Sequence, residues 1–189
     1  MKIYFTASLH VGVDKKIYER IVEVLEDLGH KVIHDHILEN TAGRLDSLSL
    51  KERTEYHREM SKTISNCDMM VCEVSFPSTI SIGHEVTLAL DKGKPVVALY
   101  QPGKEPGVLQ GMKSDRFILI EYLKNDLREV LEYGVDDATE KIDVRFNFFI
   151  SPKINRYLDK ISKDKRTPRA VYLRRLIEED MKKNKNFSG

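Results

Sequence analysis

Short apolar runs alternate along the chain with stretches in which apolar positions recur every three or four residues, and Gly, Pro or polar clusters mark each change. KIYFT (2–6) predicts a first strand. From 14 to 28, Ile17, Ile21, Val24, Leu25 and Leu28 share one helical face before Gly29 closes it. KVIH (31–34) predicts a second strand, and a polar stretch near 39–47 leads into a helix over 49–66. DMMVCEVS (68–75) is a third strand, followed by a helix that starts near Ser81 and stops at Gly93-Lys94-Pro95, a C-cap glycine with a proline that cannot continue it. PVVALY (95–100), RFILIEY (116–122) and a helix running to Tyr133 complete the alternation. Beyond GVDDATEK (134–141), which reads as a linker, 143–151 alternates as a strand. A helix over 152–161 puts Ile154, Tyr157, Leu158 and Ile161 on one face, and Thr167-Pro168 opens a second helix with Val171, Leu173, Leu176 and Ile177 apolar.

Five strands separated by helices predict an α/β, flavodoxin-like, doubly wound parallel sheet over 1–136, whose ligands collect at the carboxyl ends of the strands. Residues 142–189 form a small β-α-α module that cannot bury its apolar faces alone. The chain has 189 residues and a net charge of +1, which hides an asymmetry. Residues 1–140 hold 17 Lys/Arg against 24 Asp/Glu, net −7, and 141–189 hold 14 against 6, net +8. The two parts therefore suit different partners. No apolar run approaches the ~20 residues of a membrane span and no signal-peptide pattern opens the chain, so a cytoplasmic location is expected. Cys67 and Cys72 read as opposite faces of one strand, unpaired. His34-x-His36 lacks the further ligands a metal site needs, so neither metal nor cofactor is expected.

The loops after strands one and three, 6–12 and 75–85, combine small residues with a glycine ahead of a helix, an arrangement that leaves N–H groups for an anion or for sugar hydroxyls. Glu85 falls in the predicted first turn, where the helix dipole keeps a carboxylate ionised. It reads either as a reactive carboxylate or as an ordinary acidic first-turn residue.

Tyr4-Phe5-Thr6-Ala7-Ser8, the stretch from Cys67 to Ser75, Pro77-Ser78, Ser81-Ile82-Gly83-His84-Glu85, Ala89-Leu90 and Gly93-Lys94-Pro95-Val96 resemble the nucleoside 2-deoxyribosyltransferase family, closest to its 2'-deoxynucleoside 5'-phosphate N-hydrolase branch, over 1–133. The resemblance implies that Glu85 attacks C1' of the sugar as the base departs, forming a glycosyl-enzyme ester that water or a second base resolves. Tyr4 would orient that carboxylate, or be a packed strand tyrosine. Ser8, Ser78, Ser81 and Gly83 would contact sugar or 5'-phosphate; the serines are equally ordinary turn and cap residues. His36 matches a position near the base pocket, and Phe76 could stack on a base or simply pack in its loop. The chain departs from the pattern at four points. Met60 replaces an aspartate that moves protons on the departing base, leaving the neighbouring Glu59 as the substitute. His10 stands where the hydrolase branch has an arginine, Gln110, near Met112, where it has a serine given across a dimer interface, and the 77–81 loop is one residue longer.

The module over 142–189 resembles ribbon-helix-helix modules, which form homodimers by pairing strands and interlocking helices. With Phe146, Phe148 and Ile150 inward, Arg145, Asn147 and Phe149 face outward; Arg145 and Asn147 suit base edges, and Lys153 and Arg169 suit phosphates. The expected function is cleavage of the N-glycosidic bond of a nucleoside or its 5'-monophosphate by a homodimer or tetramer. The alternative is a nucleotide-responsive DNA-binding regulator with a weak or inactive pocket.

Overall fold

The structure is a computed structural model, and it describes residues 1–10, 13–41, 43–44, 47–142, 148–165 and 167–183. Strands β1 (Lys2–Ala7), β2 (Lys31–Ile33), β3 (Met69–Glu73), β4 (Val96–Tyr100) and β5 (Phe117–Glu121) form one parallel sheet in the order β2-β1-β3-β4-β5. The intervening helices are α1 (Lys15–Asp27), the single turn α2 (Asp35–Leu38), α3 (Leu50–Ser65), α4 (Ile80–Asp91) and α5 (Leu127–Glu140). The doubly wound architecture is therefore as expected.

Alternation along the strands splits the core in two. Ile3, Phe5, Ala7, Met69, Val71, Val97 and Leu99 face α1 and α5, where Ile21, Leu25 and Leu131 are fully buried. Tyr4, Met70, Cys72, Val96 and Ala98 face α3 and α4, against Met60, Ile64, Ile82, Val86 and Ala89. Each such aliphatic side chain contributes about 1.5–3 kcal/mol on burial. Local signals set the helix starts: Asp14 accepts from Lys16 N at 3.1 Å, and Ser49 with Glu52 forms a reciprocal capping box.

Three readings need correction. The stretch 134–140 is helix, not linker: α5 runs to Glu140, Val135 and Ala138 are buried, and Gly134 lies so close to β4 and β5 that a Cβ would sit 2.8 Å from Val97 Cγ1. Its glycine and clustered acids resemble a loop, but the buried face at Leu131, Val135 and Ala138 keeps helical spacing. Second, Cys67 precedes β3, so both free thiols lie in the α3/α4 layer rather than on opposite faces. Third, 148–150 have no regular structure, and the rest of the expected C-terminal strand, 143–147, lies outside the described residues.

Residues 1–143 and 144–189 are separate compact units. In the second, α6 (Pro152–Asp164) starts on Ser151, which accepts from Ile154 N, with Pro152 at the first helical position; α7 (Arg169–Lys183) follows Pro168. Leu158 is the only buried side chain among the described residues of these two helices, and Ile154, Tyr157, Leu176 and Ile177 are exposed. No described helix is long and apolar enough to cross a membrane.

Candidate active site

Glu85 does not occupy the first turn. The helix begins at Ile80 on Thr79, so Glu85 is its sixth residue, in the second turn, with its side chain turned inward against β1. It is 5% exposed and accepts a hydrogen bond from the Tyr4 hydroxyl at 3.0 Å. The reading as an acidic first-turn residue held ionised by the dipole is overturned, because desolvation dominates: burial raises the Glu85 carboxyl to about 7, partly offset by Thr6 and Tyr4. Thr6 acts from outside good hydrogen-bond geometry, since its buried hydroxyl has no full partner within the described residues.

Tyr4 is itself locked. It lies 1% exposed on β1, its proton is held more tightly than usual by burial and the Glu85 charge, and the His36 ring stacks on it at 4.5 Å and 14°. Burial lowers His36 to about 4, so that ring is neutral near pH 7. His34 and His36 belong to the entry and first turn of α2 rather than to a strand end.

A cavity of about 490 Å³ opens over Glu85, between Ala7 at the end of β1 and Leu9 just beyond it, Tyr56, His57 and Met60 of α3, and Thr79, Ser81, Ile82 and His84 around the start of α4. An adjoining cavity of about 240 Å³ shares Tyr56 and Met60 and adds Tyr4, Asp35, His36 and Glu59. Burial, then the Glu85 charge, pushes Tyr56 up to about 12. Across the larger cavity, His57 and His84 stack with Nε2 atoms 3.1 Å apart.

Of the expected site residues, Tyr4, His36, Glu59, Ser81 and Glu85 line these two cavities. Glu59 is on the rim, half exposed, with Arg58 at 3.6 Å and Lys62 at 3.9 Å, while Met60 takes the inward position. Ser8 is buried between lining residues, its hydroxyl without a partner among the described residues and its carbonyl taking the Tyr18 hydroxyl at 2.8 Å. Ser78, Gly83, Gln110 and Met112 line neither cavity; Gln110 is exposed on the 3-10 turn Gly107–Gly111, and Met112 packs on the α3/α4 core. His10 and Phe76 are brought elsewhere, to a third pocket of about 290 Å³ with Tyr18, Glu73, Gln101, Lys104 and Lys124. Phe76 therefore does not reach over Glu85. Glu73 escaped the sequence reading: it is 3% exposed at the end of β3 and accepts from the Ser75 and Tyr122 hydroxyls, and burial raises its carboxyl. Its signal was a charge at the end of an apolar strand.

In the C-terminal unit the exposed Arg169 side chain pairs with Asp159 and donates to Asn155 at 2.8 Å. Lys153 is exposed in the first turn of α6. Arg145 and Asn147 lie outside the described residues. Among the described residues, no three His, Cys, Asp or Glu side chains form a metal-binding group.

Fold and site together define a doubly wound α/β protein with a buried carboxylate–tyrosine pair at the carboxyl edge of its sheet. No protein-family model matches the chain. It is 34% identical over 103 residues to a protein of Methanococcoides burtonii provisionally named 2'-deoxynucleoside 5'-phosphate N-hydrolase 1, covering 54% of this chain and 82% of that one. A protein of Nematostella vectensis with the same provisional name is 30% identical over 135 residues, 69% of this chain and 90% of that one. A 2-deoxyribosyltransferase from Bacillus psychrosaccharolyticus shares the fold, with a TM-score of 0.50 at 22% identity over 68% of this chain and 90% of that one. The chain belongs to the 2'-deoxynucleoside 5'-phosphate N-hydrolase family.

Proposed function

We propose that the chain cleaves the N-glycosidic bond of a nucleoside or its 5'-monophosphate, with Glu85 as the nucleophile. The observation that carries this reading is the buried Glu85 carboxylate, held by the Tyr4 hydroxyl at 3.0 Å on the wall of a cavity of about 490 Å³. A carboxyl that titrates near 7 is half ionised at neutral pH, and a desolvated carboxylate is well suited to meet the positive charge that develops at C1'. Glu85 then forms a C1'–O bond as the C1'–N bond breaks with its electron pair on the base. Water, or a second base, breaks the ester and restores the carboxylate. Tyr4 fixes the reacting oxygen, and Ser8 and Ser81 offer hydroxyls to sugar or phosphate. The names of the relatives favour a deoxynucleoside 5'-phosphate. His10, however, lines a different pocket from Glu85, which gives no support to a phosphate role for it.

The test is chromatographic detection of free base from deoxy- and ribonucleosides and their 5'-monophosphates, with wild type and Glu85→Gln side by side. Release that vanishes in the variant is expected. Full activity in Glu85→Gln overturns the nucleophile.

The exposed Ile154, Tyr157, Leu176 and Ile177 favour a role of the C-terminal unit in pairing with a second copy, since a soluble monomer rarely shows so much apolar surface on two adjacent helices. Ile177→Asp should weaken self-association of the full chain in sedimentation equilibrium. Binding of DNA by the resulting dimer, and hence the regulator reading, rests on Arg145, Asn147, Lys153 and Arg169.

A further inference from the structure

A departing nucleobase carries away the electron pair of its bond to C1', and a proton placed on a ring nitrogen or carbonyl oxygen eases that departure by about 10²–10⁴-fold. The donor must share the cavity of Glu85 without being the nucleophile. Besides Glu85, the titratable side chains lining that cavity are Tyr56, His57 and His84. Tyr56 binds its proton too tightly to give it up readily, and Met60 has none to give. Tyr4 already directs its hydroxyl at Glu85, while His36 and Glu59 line the smaller cavity.

His57 projects from α3 and His84, the immediate neighbour of Glu85, from α4, so two separate elements bring the rings together. Their Nε2 atoms stand 3.1 Å apart, with ring centroids 5.4 Å apart and planes 28° from parallel. Two ring nitrogens facing at that distance hold one proton between them, because two lone pairs or two N–H groups would repel. Which ring donates depends on the tautomer. Both residues are exposed at the cavity wall, so the pair can exchange protons with water between turnovers.

We propose that the His57–His84 pair is the general acid of the Glu85 site. This rests on the glycosidic-cleavage reading and adds to it the source of the proton. The acid is the singly charged pair, an imidazolium N–H shared with the facing imidazole: as Glu85 bonds to C1', the base nitrogen or carbonyl oxygen takes that proton, both rings are left neutral, and the base leaves neutral with the former bond pair. In the second step water attacks C1', the bond to Glu85 breaks, and the proton lost by water returns to the pair. Charge and protons balance over the cycle, and no co-reactant other than water is used.

The experiment compares two leaving groups in the full chain. One is the base of whichever nucleoside or nucleotide the wild type cleaves. The other is 4-nitrophenolate on the same sugar, which departs without needing a proton. In the double variant His57→Gln/His84→Gln, base release should fall by about 10²–10⁴-fold, with 4-nitrophenol release within about threefold of wild type. The single variants, each keeping one imidazole, should fall between, and thermal unfolding of all three reports whether the fold is intact. An equal fall for both leaving groups means a positioning role and overturns the proposal, as does base release that stays at the wild-type level. A wild type that releases neither product overturns the glycosidic reading itself. A wild type silenced by Glu85→Gln but indifferent to the histidines overturns the general acid alone.

Discussion

Tyr4→Phe removes one oxygen from a buried pair and leaves the ring that stacks on His36. In the wild type the Tyr4 hydroxyl, 1% exposed as a residue, donates to Glu85 at 3.0 Å. A hydrogen bond to a charged acceptor is worth about 1.5–3 kcal/mol, and about 1.4 kcal/mol moves a pKa by one unit, so the loss should raise the Glu85 carboxyl by about 1–2 units. Starting from about 7, Glu85 should then titrate near 8–9. At pH 7 the ionised fraction drops from about one half to between about 1% and 10%, and if the carboxylate is the nucleophile, base release drops by about 5- to 50-fold. The assay is kcat/KM for base release across pH 5 to 10. The acidic limb should shift up by about 1–2 units, and carbon NMR of glutamate-labelled protein should show the same shift without substrate. A limb that stays within about 0.3 units of wild type in both measurements would refute the argument.

Glu85 holds its proton more tightly folded, at about 7, than unfolded, near 4.5, so the folded state binds more protons between those values and stability falls as pH rises through them. Glu85→Gln should lack that component, worth about 3 kcal/mol, so urea midpoints of wild type and variant should diverge between pH 5 and 8 in favour of the variant. His36 runs the other way: folded near 4 against 6.5 unfolded, its contribution is lost as pH falls through that window, and His36→Gln should flatten the acid side of the stability profile in the same denaturation series. Gly134→Ala sets a methyl 2.8 Å from Val97 Cγ1 and 3.0 Å from Ile120 Cδ1; overpacking there should cost about 1–3 kcal/mol in urea unfolding, despite alanine's better helix propensity.

The strands and helices of the first unit were legible because their signals are local. Apolar runs, apolar positions that recur every three or four residues and the Gly93-Lys94-Pro95 stop need no partner to be recognised. Tyr4 and Glu85 were legible through family resemblance. What failed depended on offsets of a residue or two. A helix that starts at Ile80 makes Glu85 its sixth residue, on the buried face of the second turn, and exchanges a dipole-stabilised carboxylate for a desolvated one. The stretch 134–140 shows how a glycine that resembles a loop can be one that a neighbouring strand requires.

The sequence by itself determined the order of elements, the parallel sheet and the charge division between the two units, since periodicity, caps and composition are properties of neighbours along the chain. Only the tertiary structure decided which polar side chains meet. It joined Tyr4 to Glu85 across 81 positions and His57 to His84 across 27, sent His10 and Phe76 to another pocket, and buried Glu73. The reason is physical: proton affinity depends on the water a group has lost and the partners it has gained, and both are set by packing between elements distant in sequence.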